Sequence, residues 1–337
     1  MMFETLGICL ALAALLTLNA CASLLTSALW RTLRGRAENW PASARARMIF
    51  ALRVFPAVIA VTCVGALLLP AYITHEPRHD VEPVSLKLAI LAVISAAGLL
   101  LALWRGVAAW GATRRLINDW LRCAEPIKPG QLDQIAIPAY RLRHPFPVIA
   151  IVGAIRPKLF IADHLFQSLT RGELAAAIAH ERGHLMARDN LKRALLRACR
   201  DALAIVPSGG GLDRAWAEAS EAAADEHAAR EGGGVALDLA SALVKIARLV
   251  PAGVKPTIPA GALLIGDDAG GIARRVRRLT QLATLDDAEP AWRVFNSGAL
   301  PWACVVAPLA SAILLATSPP TLLMIHNVIE IAVSKLQ

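Results

Sequence analysis

The chain has 337 residues, of which 56% are hydrophobic and 18% charged, and its formal net charge is +9. Its mean hydropathy of +0.51 excludes an ordinary soluble domain and predicts membrane-spanning helices. In a membrane protein, an excess of Lys and Arg usually marks cytoplasmic loops, so we expect no direct nucleic acid binding. The six cysteines are scattered without CxxC spacing, which argues against a disulfide framework or a thiolate metal site.

Four stretches without charged residues predict four transmembrane segments, because a helix that crosses the bilayer needs about 20 apolar residues. The stretches are residues 5–30, 54–74, 88–104 and 294–325. Four prolines interrupt the last stretch, so its helix limits stay open. The sequence therefore predicts residues 1–104 as three transmembrane helices with a basic loop, residues 105–295 as a separate domain, and residues 296–337 as a fourth segment with a short tail.

The distribution of basic residues predicts the orientation of these segments. Six arginines and one acidic residue follow the first segment, and four arginines follow the third. The short connection after the second segment, "HEPRHDVEP", is acidic instead. Because Lys and Arg accumulate on the cytoplasmic side, we expect a multi-pass protein of the inner (cell) membrane whose residues 105–295 lie in the cytosol.

Residues 105–295 mix strand and helix patterns, which predicts an α+β domain. Three short β-type runs, broken by Pro and Gly, are "QIAIPAYRL", "FPVIAIVGA" and "PKLFIAD". Helices are predicted at residues 170–189, 213–231, 235–250 and 270–282. Thr170 and Glu173 form a capping-box pattern at the first of these helices, and Asp213 is the expected cap of the second.

The first of these helices contains the motif "HERGH" at residues 180–184. His180 and His184 are four residues apart and share one face of a helix, so both imidazoles can bind one ion. Zinc favours such nitrogen ligands with a third protein ligand and an open position for water. The metal makes this water acidic enough to attack at neutral pH, and Glu181 can take its proton. A metzincin site is excluded, because Ala187 and Asn190 stand where that motif needs Gly and His.

The next helix offers a third ligand in "EAAAD", where Glu221 and Asp225 are again four residues apart. Glu221 can bind the metal, and Asp225 can accept a hydrogen bond from a ligating histidine. The alternative is a solvated acidic helix face, but the upstream HExxH helix favours the metal site. For Arg275, in the basic run "ARRVRRL", we favour a solvated or headgroup-facing stripe over an ion pair near the site. His227 is expected to be a structural or rim residue.

The segment "IRPKLFIADHLFQSLTRGELAAAIAHERGHLMARDNLKRALL" resembles the BlaR/MecR-type antirepressor membrane metallopeptidases, relatives of the HtpX and CAAX prenyl protease group. The resemblance rests on "RP" before a strand, "LTRGEL" before the motif and "RDN" after it, and covers about residues 140–230. It implies an α-helical membrane protein with a cytosolic, α+β, gluzincin-like zinc metallopeptidase domain. It also implies one zinc ion per chain on His180, His184 and Glu221, with Glu181 as the general base.

The expected function is that of an integral-membrane zinc metalloendopeptidase acting on a protein or peptide substrate in regulatory proteolysis. The resemblance makes a cytosolic transcriptional repressor a candidate substrate. The alternative is a catalytically silent membrane scaffold or signalling protein that keeps a structural zinc site. A membrane desaturase is disfavoured, because the sequence has no HxxHH box, and no acid or base inside the apolar segments marks the ion path of a transporter.

Overall fold

The computed structural model describes residues 2–77, 83–128, 136–203, 209–232, 234–250, 269–284 and 318–336, with isolated positions between 307 and 314. In its N-terminal part the helices are α1 (Met2–Ala37), α2 (Ala42–Cys63), α3 (Leu69–His75) and α4 (Leu86–Arg122). A π-helical turn, Val64–Leu68, joins α2 to α3 without a break in the helix. These long helices pack side by side and dominate the first third of the chain.

Three stretches are long and apolar enough to cross a membrane: Met2–Ala37, Ala42–His75 and Leu86–Arg122. They coincide with the first three predicted segments and support a membrane protein. Most of the fourth predicted segment, residues 294–325, lies outside the described residues, and α11 (Pro319–Leu336) covers only its last part. The helices are longer than the uncharged runs: α4 continues past residue 104 to Arg122, and only residues 38–41 separate α1 from α2.

Four short strands follow α4: β1 (Ala124–Pro126), β2 (Ala139–Leu142), β3 (Ile149–Val152) and β4 (Lys158–Ala162). They form one sheet in the order β1-β2-β4-β3, in which only the β2–β4 pair is parallel. The structure confirms the three predicted strands within narrower limits. Strand β1 was not predicted, because "AEP" carries no β-branched or aromatic residue to signal a strand.

The helices around this sheet are α5 (Leu165–Ser168), α6 (Arg171–Ala187), α7 (Asp189–Ala202), α8 (Gly210–Ala229), α9 (Val235–Leu249) and α10 (Ala269–Thr284). The four predicted helices correspond to α6, α8, α9 and α10. The prediction of Asp213 as a helix cap is wrong, because α8 begins at Gly210 and Asp213 binds Arg53 of α2 instead. Buried aliphatic residues of the sheet, α6 and α9 form the main core.

Helix α6 is anchored at its start by the predicted capping box. The Thr170 hydroxyl accepts a hydrogen bond from the Glu173 backbone N–H, and the Glu173 carboxylate accepts one from the Thr170 N–H. The same buried carboxylate accepts hydrogen bonds from Ser241 at 2.6 Å and Lys245 at 2.8 Å, which ties α6 to α9. Burial would raise the pKa of Glu173, but these hydrogen bonds outweigh it and lower the pKa to about 2.

The membrane helices dock directly onto α7 and α8. Arg53 of α2, whose side chain is 2% exposed, donates to Asp213 of α8 at 2.9 Å. Gly98 of α4 lies so close to α7 that an added Cβ would be 2.5 Å from the Ala202 carbonyl oxygen. The membrane helices α2 and α4 therefore support α8 and α7 by direct contact.

We expect Glu173→Gln to lower the free energy of unfolding by about 1–2 kcal/mol at pH 7, because it removes charge-assisted hydrogen bonds from a buried carboxylate. The pKa of Glu173 is depressed, so its stabilisation is present above about pH 4.5 and is lost as the pH falls towards 2. The difference from wild type should therefore shrink across this window in thermal unfolding followed by circular dichroism.

The matched control for this prediction is Glu125→Gln, because Glu125 is exposed and pairs with an exposed Arg143. It should leave stability nearly unchanged at every pH. A destabilisation of Glu173→Gln that persists undiminished at pH 2.5 would contradict the assignment to the ionised carboxylate.

Candidate metal centre

Helices α6 and α8 bring the two histidines of "HERGH" against Glu221. The His180 Nε2 atom lies 3.6 Å from Glu221 Oε2, and the His184 Nε2 atom lies 3.5 Å from Glu221 Oε1. One ligand atom from each of the three side chains lies within 4.8 Å of the others. His180 is fully buried, whereas the Glu221 side chain is 28% exposed, so the cluster sits at the base of an opening.

A carboxylate holds the Nδ1 atom of each imidazole. Asp225 lies 2.9 Å from His180 Nδ1, and Asp189 lies 2.7 Å from His184 Nδ1. Because both Nδ1 atoms are engaged, both Nε2 atoms are directed to Glu221. The two rings are nearly perpendicular, with centroids 4.8 Å apart. Asp189 was not among the predicted site residues, although its position directly after the motif helix was a signal.

The backbone at Arg188 places Asp189 in reach of His184. Arg188 is the only non-glycine residue of the described part with positive φ, with φ 54° and ψ 40°. This left-handed residue ends α6 and starts α7, so the chain turns back instead of continuing the helix. Asp189, the first residue of α7, thereby lies beside the last turn of α6.

Helix α8 can approach α6 because residue 183, inside the motif, is glycine. A Cβ added at Gly183 would lie 3.1 Å from Ala224 Cα and 3.2 Å from His227 Cβ. This contact lies one turn from Glu221 on α8 and next to His184 on α6. His227 therefore packs behind the motif, consistent with the expected structural role.

Two arginines balance the charge of the acidic groups. Arg275 of α10 donates to Asp225 at 2.7 and 3.0 Å and lies 3.3 Å from Glu221. Arg193 of α7 also lies 3.3 Å from Glu221. The interpretation of Arg275 as part of a solvated or headgroup-facing stripe is therefore wrong. A buried carboxylate such as Asp225 is costly without a partner, and Arg275 supplies one.

The electrostatics of the cluster favour the ionised forms of both its histidine His184 and its carboxylates Glu221 and Asp225. Burial alone would lower the pKa of His184, but Glu221 and Asp189 outweigh it and raise the pKa to about 10. Burial would raise the pKa of Glu221, but His184, His180 and Arg275 hold it well below its usual range. The pKa of Asp225 falls to about 2 for the same reason, through Arg275 and His180. The acidic and basic groups of the site thus compensate one another's charge.

Glu181 faces the edge strand of the sheet. Its Oε2 atom accepts a hydrogen bond from the Ile151 backbone N–H of β3 at 3.2 Å. Burial raises the pKa of Glu181, while the nearby histidines act in the opposite direction. Asn190 donates from its side chain to the carbonyl oxygens of Ile151 at 2.9 Å and Gly153 at 3.2 Å. These bonds fix β3 beside the motif.

A cleft with a cavity volume of about 380 Å³ opens over the cluster. Its walls include Ile151 and Gly153 from the end of β3 and Asn190 from α7. Glu181, His184 and Glu221 line the same cleft, so a molecule in it can reach the cluster.

The donor set fits zinc. Two imidazole nitrogens and one carboxylate are ligands that zinc takes in catalytic sites, and ligands at about 2.0–2.2 Å from one ion lie roughly 3–4 Å apart. The distances of 3.5 and 3.6 Å between the imidazole Nε2 atoms and the Glu221 oxygens meet this requirement. The carboxylates on both Nδ1 atoms are the usual partners of metal-bound histidines.

Comparison with known families agrees with this geometry. Residues 150–224 match Peptidase family M48. The matched segment runs from β3 through the "HERGH" helix to Glu221, and leaves out Asp225 and Arg275. No curated protein matches the chain. Together with the three apolar helices, the match indicates a membrane metallopeptidase. It supports the family broadly, and the BlaR/MecR subtype stays a prediction.

We expect Asp189→Asn and Asp225→Asn each to weaken zinc binding by about 10- to 100-fold, because each removes the carboxylate that orients an imidazole. Zinc affinity can be measured on the purified full chain by competition with a chelator. Asp163→Asn is the matched control, since Asp163 pairs with Arg141 on the sheet. Affinities equal to wild type in both variants would contradict the orienting role.

We expect Gly183→Ala to weaken zinc binding several-fold without loss of helix, because the added methyl group separates α6 from α8 while alanine favours helix more than glycine by about 1 kcal/mol. Gly211→Ala in α8 is the control, because a Cβ there meets nothing within 4 Å. Chelator competition gives the affinity, and circular dichroism gives the helix content. Unchanged zinc affinity in Gly183→Ala would show that zinc binding does not depend on the close approach of α6 to α8.

Proposed function

We propose that this chain is an integral-membrane zinc metalloendopeptidase of the gluzincin type. In this proposal, His180, His184 and Glu221 bind one zinc ion per chain. The observation that carries it is the convergence of these three side chains from α6 and α8, with both imidazoles oriented by carboxylates. The match of residues 150–224 to a peptidase family supports the same assignment.

Glu181 is the proposed general base. Zinc in such a site lowers the pKa of water and polarises a carbonyl group. The Glu181 carboxylate takes a proton from the attacking water and returns it to the leaving amine nitrogen, so that the peptide bond is hydrolysed without net proton uptake. The hydrogen bond from Ile151 N–H holds this carboxylate beside His180 and His184 and directs its orientation.

The cleft beside β3 is the proposed substrate site. Strand β3 lies at the end of the sheet order, and an extended peptide can be held along such an edge. The side chains of Glu181 and Asn190 already bond to the backbone of Ile151. We therefore place the scissile bond in the cleft between Ile151 and Glu221. The substrate backbone competes there with the Asn190 side chain for hydrogen bonds to the backbone of β3.

For localisation, we propose the inner membrane with the catalytic domain in the cytosol. The arginine-rich ends of α1 and α4 and the start of α2 lie on the side of α7 and α8, which supports this orientation. We retain the division into residues 1–104, 105–295 and 296–337, with α4 continuing across the first boundary. The proposed substrate is a membrane-associated or cytosolic protein, and the antirepressor resemblance favours a transcriptional repressor in regulatory proteolysis.

The decisive comparison is Glu181→Gln against wild type. The variant keeps all three proposed zinc ligands, so it should bind zinc normally and lose at least about 100-fold in peptide hydrolysis, because a general base contributes 10²–10⁴-fold. Comparative proteomics of cells carrying either form should reveal a protein that accumulates uncut in the variant.

The control is Glu218→Gln, because Glu218 is an exposed residue of the same acidic helix face. It should retain wild-type activity. Should both forms bind zinc, neither hydrolyse peptide and the two proteomes be the same, the scaffold with a structural zinc site would be the better description.

A further inference from the structure

A second cluster of metal-ligating side chains lies at the far end of the membrane helices. Glu76 directly follows α3, and His326 and Glu330 belong to α11. One ligand atom from each of these three residues lies within 4.8 Å of the other two. Because His326 and Glu330 are four residues apart, they share one face of α11, which packs against α3.

The distance between the Glu76 and His326 side chains is too long for a hydrogen bond and matches the separation of two ligands of one metal ion. His326 Nδ1 lies 3.8 Å from Glu76 Oε2, beyond the 2.7–3.2 Å of a hydrogen bond. Two ligands at about 2.0–2.2 Å from one metal ion lie roughly 3–4 Å apart.

Burial makes this arrangement costly without a ligand. The side chains of His326 and Glu76 are only 14% and 8% exposed. His326 Nδ1 is itself buried and has no hydrogen-bond partner among the residues that the structure describes. A buried imidazole nitrogen without a partner loses its hydrogen bonds to water, and a bond to a metal ion would compensate for this loss. The ring of His75 stacks at 5.8 Å from that of His326 and closes one side of the cluster.

This cluster is separate from the centre on α6 and α8. Helix α8 contacts the start of α2, where the Ala42 N–H donates to Glu226 at 3.1 Å. From Ala42, the continuous helix of α2, the π-helical turn and α3 runs to His75, next to Glu76. At 1.5 Å per residue this helix is about 50 Å long, so the two clusters cannot share an ion.

We propose that Glu76, His326 and Glu330 form a second binding site for one divalent transition-metal ion, with zinc as the simplest occupant. One imidazole and two carboxylates suit zinc better than magnesium or calcium, which prefer all-oxygen sites. The ion joins α3 to α11 and thereby fixes the last described helix against the second membrane helix. The site does not depend on the proposed peptidase activity.

The test uses the full chain in detergent, with the first centre removed by His180→Ala and His184→Ala. Equilibrium dialysis against zinc, followed by elemental analysis, should find about one zinc ion per chain in this background. Adding Glu330→Gln should weaken this binding at least about tenfold, and adding His326→Ala should abolish it. Asn327→Ala, at an exposed neighbour on the same helix, is the matched control and should change nothing.

Thermal unfolding keeps the test valid if a variant is less stable. Zinc should raise the melting temperature of the background protein but not of the Glu330→Gln variant, and magnesium should have no effect on either. Glu330 is exposed, so its substitution should not unfold the chain. The proposal is overturned if the background protein binds no zinc, or if binding survives His326→Ala and Glu330→Gln together.

Discussion

The close approach of α6 to α8 at Gly183 is the constraint on which the metal centre depends. Each helix alone carries an incomplete ligand set, with two imidazoles on α6 and one carboxylate on α8. The glycine lets Ala224 and His227 pack against the motif helix, and Glu221 then falls between the Nε2 atoms. The capping box at Thr170 and the contacts of Glu173 with α9 hold α6 in place from its other end.

Charge compensation explains why this packing tolerates so many ionisable groups. Asp189, Asp225 and Glu221 surround two histidines, and Arg193 and Arg275 approach from α7 and α10. Removing one member of such a network leaves an uncompensated buried charge, which costs more than the pair contributes. His184, His180 and Arg275 hold the pKa of Glu221 well below its usual range, while its 28% exposure leaves it reachable from the cleft.

The sequence predicted what depends on local periodicity and missed what depends on tertiary contacts. The four-residue spacings of "HERGH" and "EAAAD" place each pair of side chains on one helix face whatever the fold, so these two pairs were predictable. Their meeting in one cluster depends on the packing of α6 against α8. Asp189 reaches His184 only because Arg188 is left-handed, and Arg275 reaches Asp225 only because α10 packs there. Hydropathy located three membrane helices but not the end of α4, whose last turns pack against the main core.

The same helix that supplies Glu221 also contacts the membrane part of the chain. On α8, Asp213 binds Arg53 of α2, and Glu226 accepts the N–H of Ala42 and also pairs with Arg278 of α10. Helix α10 in turn places Arg275 on Asp225. A shift of α2 therefore cannot leave α8 and α10 where they are without breaking the Arg53–Asp213 ion pair and the hydrogen bond from Ala42 to Glu226. Since the histidines sit on α6, such a shift changes the distance from Glu221 to both imidazoles, and the packing of the membrane helices becomes a determinant of metal-site geometry.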